Sequence, residues 1–168
     1  GPPSWLPAAI QPSRSLGPHA TSPARGFAPL SIPMPLAVAR PLLAVGPHLK
    51  NTFALALGKE VYVSQHIGDL ENAETLSFFE LTLSHLKRIL DIRPEVVAHD
   101  FHPDYLSTVW AMAQDVPRIA VQHHHAHIAA CMAENKVDGP VIGLSLGGTG
   151  LGTDGTVWGG EVLVAAYN

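Results

Sequence analysis

The stretch Leu42-Leu43-Ala44-Val45-Gly46-Pro47-His48-Leu49-Lys50-Asn51-Thr52-Phe53-Ala54-Leu55-Ala56-Leu57-Gly58-Lys59-Glu60-Val61-Tyr62-Val63-Ser64-Gln65-His66 decides the fold. It begins with a buried strand at Leu42–Val45, turns at Gly46-Pro47-His48, and continues as a second strand over Asn51–Leu57. Gly58-Lys59 makes a tight turn into a third strand, Glu60–His66. Two-residue turns cannot join parallel strands, so the three form an antiparallel meander. Gly68-Asp69 then opens a helix, with Asp69 as its N-cap and Glu71 and Glu74 in its first turn. Leu76, Phe79, Leu83, Leu86 and Leu90 recur at helical spacing and make one apolar stripe facing a sheet, and Pro94 ends the helix.

Working outward, the pattern predicts a strand at Glu95–His99, a helix from about Pro103 to Gln114, a short buried strand at Arg118–Val121 and a helix over Ile128–Glu134. The order β-β-β-α-β-α-β-α is that of a ribonuclease-H-like half-domain of the actin, sugar-kinase and Hsp70 superfamily, an α/β fold; that comparison rests on element order alone. After Pro140 a new hairpin starts, with Val141–Leu146 as its first strand and Thr156 to Ala165 as its second. It reads as the first hairpin of a truncated second half-domain, so the chain looks like a fragment. The expected organisation is therefore a Pro-rich linker or tail at 1–40, the half-domain at 41–139 and the hairpin at 140–168. In the tail, ten of the fifteen prolines fall between Pro2 and Pro41 and no Asp or Glu precedes Glu60, a composition that denies helices and sheets their donors. Isolated apolar residues such as Trp5 and Phe27 remain able to dock on a neighbouring surface.

Chemistry concentrates at Val121-Gln122-His123-His124-His125-Ala126-His127, which holds four of the ten histidines on a strand-to-helix junction, where α/β folds place ligands. With a helix start at His123 or His124, His123 and His127 project from one face and can share one divalent ion, zinc or iron. His124 points elsewhere, toward a substrate or a neighbouring strand. The alternative is a helix start rich in satisfied, partly buried histidines. Gly147-Gly148-Thr149-Gly150 lies in the hairpin loop, where backbone amides can hold phosphate; the alternative is an ordinary flexible loop. His102, Asp104 and Tyr105 open a helix beyond a strand's carboxyl end and so face the same crevice, or simply cap that helix.

The totals exclude several classes. A net charge of −4 on 168 residues offers no footprint for DNA. No apolar run approaches the roughly 20 residues a membrane span needs. The start has neither the basic region nor the apolar core of a signal peptide, and the single cysteine, Cys131, forms no disulfide and reads as a packing residue, so a cytoplasmic protein is expected.

Gly46-x-x-Leu49-Lys50-Asn51-Thr52-Phe53, Ser64 through Asn72, His102-Pro103-Asp104-Tyr105, Val121 through His127, and Gly152-Thr153-Asp154-Gly155 through Trp158-Gly159-Gly160-Glu161 occur in order. Together they closely resemble the C-terminal carbamoyltransferase domain of the HypF-type nickel-iron hydrogenase maturation proteins, over roughly Ala24 to Val164. Arg25-Gly26-Phe27-Ala28-Pro29 resembles the junction with the preceding domain of that family. The resemblance implies an enzyme using carbamoyl phosphate and ATP, which makes carbamoyl-adenylate and passes the carbamoyl group to the C-terminal cysteine of a HypE-type partner for cyanide-ligand synthesis. It implies a metal on His123 and His127, and nucleotide or phosphate contacts at Lys50 and Gly147–Gly150; for Lys50 the alternative is a solvated surface lysine. Gly147 stands where that family usually carries a metal-binding aspartate, and the related tRNA threonylcarbamoyl transferases carry a Gly-Gly loop there. A tRNA threonylcarbamoyl transferase-like enzyme is thus the nearest alternative; a non-catalytic partner-docking fragment is the other.

Overall fold

A computed structural model describes residues 30–167, so the readings of Trp5, Phe27 and residues 1–20 lie outside the described residues. The meander forms as expected, with shorter strands: β2 at Leu42–Ala44, β3 at Ala54–Leu57 and β4 at Glu60–Val63, preceded by a two-residue strand β1 at Ile32–Pro33. Leu57 pairs with Glu60 across the Gly58-Lys59 turn, in which Gly58 has φ 57° and Lys59 does not take a positive φ. A left-handed first position followed by an ordinary one is the type II′ pattern that matches strand twist. β4 ends early because the hydroxyl of Ser64 accepts the Phe53 N–H, replacing a ladder bond with a side-chain bond.

Of the tail, the described residues 30–40 include one short strand. Ile32 and Pro33 pair antiparallel with Val61 and Glu60, and the Met34 N–H donates to the Lys59 carbonyl. Proline is compatible with this place because it sits on a sheet edge, where its missing donor leaves no gap in a ladder.

Helix α1 spans Ala73–Leu90 and begins later than Asp69. Asn72 is the N-cap, accepting the Thr75 N–H at 2.9 Å. Asp69 instead accepts the backbone N–H of Lys50, so its carboxylate is already engaged in holding the β2–β3 loop. Asp91 closes the helix in a left-handed conformation (φ 50°), and Ile92 folds back into the core with its N–H on the Lys87 carbonyl. The stripe behaves as read: Phe79, Leu83 and Leu86 are buried against Leu43, Val45, Phe53, Leu55 and Val97, with Leu76 and Leu90 at its margins.

Strand β5 (Val96–Asp100) runs parallel to β2, and β6 (Arg118–Val121) parallel to β5, giving a six-stranded sheet in the order β1-β4-β3-β2-β5-β6. Between them α2 covers only Leu106–Met112, so His102, Asp104 and Tyr105 precede the helix rather than open it. β6 corrects the sequence reading: Arg118, Ile119 and Ala120 are exposed, because the strand is the outer edge of the sheet.

Helix α3 (His123–Glu134) follows β6 after one residue and packs Ile128 and Met132 on the hairpin formed by β7 (Val141–Ser145) and β10 (Glu161–Ala165). A side chain at Gly143 would collide with Ile128, its Cβ coming within 2.4 Å of that residue's Cδ1, so glycine sets how closely the helix lies on β7. The long second strand expected from Thr156 is broken. β8 (Gly150–Leu151) and β9 (Val157–Trp158) form their own small pair, and Gly159-Gly160 separates β9 from β10. The whole is the α/β, ribonuclease-H-like half-domain of the sequence reading, followed by a hairpin. Among the described residues no helix is long and apolar enough to cross a membrane.

Candidate functional site

Adjacent parallel strands with paired ends, Asp100 beside Val121, bring a carboxylate next to the start of α3. The helix starts where it does because Gln122 caps it: its side-chain oxygen accepts the His125 N–H at 2.9 Å. That orientation turns the Gln122 amide nitrogen toward His124 Nδ1 (3.1 Å) and the Leu151 carbonyl (3.3 Å). Gln122 thus joins helix, buried histidine and β8 hairpin. Sequence reasoning missed it, since glutamine is not among the favoured capping residues.

The four histidines separate into three roles. His123 turns Nδ1 to Asp100 Oδ2 at 2.8 Å and Nε2 to His127 Nε2 at 3.2 Å. His124 is fully buried, faces Trp158, and leaves its Nε2 without a hydrogen-bond partner. His125 donates from Nε2 to the Ala166 carbonyl at 2.8 Å, tying α3 to the end of β10.

The His123–His127 pair fits a divalent ion. Two imidazole nitrogens each at about 2.0–2.1 Å from a tetrahedral ion stand roughly 3.3 Å apart, against the 3.2 Å here. A carboxylate on the far nitrogen of a ligating histidine is the usual arrangement around such ions. Desolvation beside its neighbours, then the rings of His123 and His124, holds the His127 imidazole below the ordinary histidine value, which favours its neutral form. Burial alone would raise Asp100; the hydrogen bonds from the His123 ring and the His102 N–H outweigh it and hold the carboxyl below its usual value. Among the described residues no group of three or more His, Cys, Asp or Glu side chains gathers to hold a metal ion, so His123 and His127 would offer two ligands and no third.

The other candidates fall into two sets. Tyr105 is sandwiched between His102 (ring centroids 4.2 Å apart) and His48 (5.1 Å), nearly parallel to both. His48 Nδ1 also accepts the Leu106 N–H, and the His102 N–H donates to Asp100 Oδ1. Burial, then the charge of Asp100, raises the Tyr105 hydroxyl. These contacts join the β2–β3 loop, the segment before α2 and the histidine helix into one wall; Asp104 stays exposed on its rim. Lys50 is exposed in a left-handed conformation, its N–H on Asp69. Its neighbour Asn51, which the sequence did not single out, is fully buried and donates to the Val45 and Pro47 carbonyls, with its Oδ1 unpartnered.

In the glycine loop, a Cβ on Gly147 or Gly148 would meet nothing within 4 Å, and Gly148 has φ 77°. Gly150 is different: a Cβ there would come within 2.8 Å of His123 Cβ and 3.0 Å of the His124 ring. The loop therefore approaches the histidines at Gly150. Asp154 Oδ1 accepts from the Thr156 N–H and hydroxyl and from the Trp158 indole, fixing the turn between β8 and β9.

Residues 37–134, which run from just before β2 through the histidine helix, match the model of the HypF Kae1-like domain. The chain belongs to that family. It is 53% identical over 146 residues to carbamoyltransferase HypF2 of Cupriavidus necator, an alignment covering 84% of this chain and 18% of that protein. Carbamoyltransferase HypF of Rhizobium leguminosarum bv. viciae is 48% identical over 146 residues, with 86% of this chain and 19% of the relative covered. Among solved structures, full-length HypF in its phosphate- and nucleotide-bound form superposes with a TM-score of 0.78 at 49% identity, covering 83% of this chain and 22% of that one. The chain thus spans about a fifth of the length of the HypF proteins it matches.

Proposed function

We propose that this chain is the part of a HypF-type carbamoyltransferase domain that positions carbamoyl-adenylate for transfer of the carbamoyl group to the C-terminal cysteine of a HypE-type acceptor protein, in a cytoplasmic enzyme that makes the adenylate from carbamoyl phosphate and ATP. The observation that carries the reading is the 3.2 Å approach of His123 Nε2 and His127 Nε2, at the carboxyl ends of two parallel strands, in a chain of this family. His123 and His127 would hold the divalent ion, zinc or iron. Such an ion supplies Lewis-acid polarisation of a carbonyl oxygen.

The chain's own residues supply the rest. Backbone amides of Gly147, Gly148, Thr149 and Gly150 bind the phosphate of the adenylate, and Gly150 keeps that loop against the helix. The Lys50 ammonium, exposed on the β2–β3 loop, adds positive charge. The Tyr105 ring, held between His48 and His102, gives the crevice a rigid wall that excludes water from the acyl group. Asp104 lies at the edge of that wall, where an acceptor's tail enters. Thiolate attack on the carbamoyl carbon forms the new C–S bond and breaks the bond to the phosphate oxygen, so AMP leaves with its negative charge toward the glycine loop and Lys50.

The chain, alone and in place of the matching segment of a full-length HypF relative, is incubated with carbamoyl-adenylate and the HypE-type acceptor, and the acceptor is weighed. A carbamoyl adduct that disappears in His123→Ala supports the reading. An acceptor modified equally well by His123→Ala and by a Gly150→Ala variant that folds overturns it.

A further inference from the structure

Asp100 is held on every side. Its Oδ1 accepts the His102 N–H at 2.9 Å, and its own carbonyl lies 3.2 Å from the Thr108 hydroxyl and 2.7 Å from His99 Nδ1. Its Oδ2 faces His123 Nδ1 at 2.8 Å, and its side chain is only 8% exposed. A carboxylate can only accept, so His123 carries its proton on Nδ1. The lone pair is then on Nε2, the nitrogen that faces His127.

We propose that Asp100 is a positioning residue: it sets the tautomer and ring plane of His123 so that Nε2 is permanently offered to a divalent cation shared with His127. The proposal rests on the metal reading above and assigns unequal parts to the two histidines. Without the cation, His127 donates from its Nε2 to His123 Nε2. When a cation takes the place between the two nitrogens, the His127 proton moves to that residue's own Nδ1, while His123 keeps its proton where it was. Both rings stay neutral and no proton is released by the pair. His123 is preset, and His127, exposed to water on the helix surface, is the one that switches.

Asp100→Asn tests this because it nearly preserves shape. The His102 N–H needs an acceptor, so the asparagine oxygen takes the place of Oδ1 and its NH2 turns to His123 Nδ1. His123 must then accept at Nδ1 and carry its proton on Nε2, which closes that nitrogen to metal. Zinc(II) affinity of the whole chain, measured by calorimetry, should fall about 10–100-fold, the usual cost of losing such an outer partner. Two-bond nitrogen–proton correlation spectra at neutral pH should place the His123 proton on Nδ1 in the wild type and on Nε2 in Asp100→Asn, a change that a merely structural role would not cause. This readout needs no metal, and a wild-type His123 protonated on Nε2 overturns the proposal even if the variant does not fold. Unchanged zinc affinity in a folded Asp100→Asn also overturns it. His123→Ala and His127→Ala keep the two readings apart. If neither weakens zinc binding, the metal reading itself fails; if both do while Asp100→Asn does not, only the role of Asp100 fails.

Discussion

The half-domain and the C-terminal hairpin bury apolar surface very differently. In the half-domain, Val45, Leu55, Leu70 and Phe79 are fully buried between the sheet and α1, and twelve buried residues make one continuous core. Among the described residues of the hairpin, Ala165 is the one buried apolar side chain that joins Ile128 and Met132 of α3, while Ile142 and Val164 on its other face are 76% and 82% exposed. One region has a continuous core against its sheet, and the other only a small cluster on one face of its hairpin. The candidate site lies where they meet: Asp100 ends a strand of the half-domain, His123 and His127 stand on α3, and the glycine loop belongs to the lightly packed region. The geometry of the histidines is therefore coupled to that loop, through the Gln122 bond to the Leu151 carbonyl and the close approach of Gly150 to His123.

Paired substitutions in the two regions test this contrast most strongly. Phe79→Ala should lower unfolding stability by about 3–5 kcal/mol, since it empties a space lined by Phe53 and Trp110. Val164→Ala should stay within about 0.5 kcal/mol, as a surface change does. Chemical denaturation of both variants measures the difference, and similar losses in the two would mean that the hairpin carries as much of the fold as the core does.

A second pair sharpens the picture at the seam. Gly150→Ala forces a methyl against His123 Cβ and the buried His124 ring, and overpacking of that kind costs about 1–3 kcal/mol. Gly147→Ala meets nothing within 4 Å and does not sit in the left-handed region, so it should be neutral or slightly stabilising. Equal effects from the two would show that the loop does not rest on the histidine helix at Gly150.

Within the half-domain, Asn72→Ala should cost about 1 kcal/mol through loss of the α1 cap. Asp69→Ala should leave the helix content unchanged, because its carboxylate serves Lys50 and not the helix. Helical circular dichroism during thermal unfolding separates the two.

The smallest effect belongs to the hairpin and depends on pH. The Thr156 N–H, the Thr156 hydroxyl and the Trp158 indole hold the Asp154 carboxyl below its usual value. A depressed carboxyl contributes order that is fully present above its unfolded pKa, about 3.9, and is lost as pH falls through the lower folded value. Trp158 fluorescence should therefore be flat from neutral pH down to about that value and change only below it, and the change should vanish in Asp154→Asn.

Local periodicity carried much of the fold. The α1 stripe, the meander with its Gly58-Lys59 turn, and a helix starting at His123 or His124 follow from spacings of two to four residues, and spacing of this kind is written into neighbouring side chains whatever the rest of the chain does. The pairing of His123 with His127 belongs here too, since residues four apart on a helix meet by geometry alone. The cap of α1 was less legible. Asp69 and Asn72 both precede the helix, and the choice between them turned on a Lys50 N–H that arrives from a loop 19 residues earlier.

What only the tertiary structure decided lies at longer range. Asp100 meets His123 across 23 residues because the ends of β5 and β6 pair in parallel. His48 supports the segment before α2 across 58 residues because the β2–β3 loop folds over it. The exposure of β6 follows from its place at the sheet edge, which its apolar residues do not announce. The sequence determined which nitrogens could share an ion, since that needs one helix. Only the packed sheet determined which of them is oriented by a carboxylate, because strand order and register depend on the whole core.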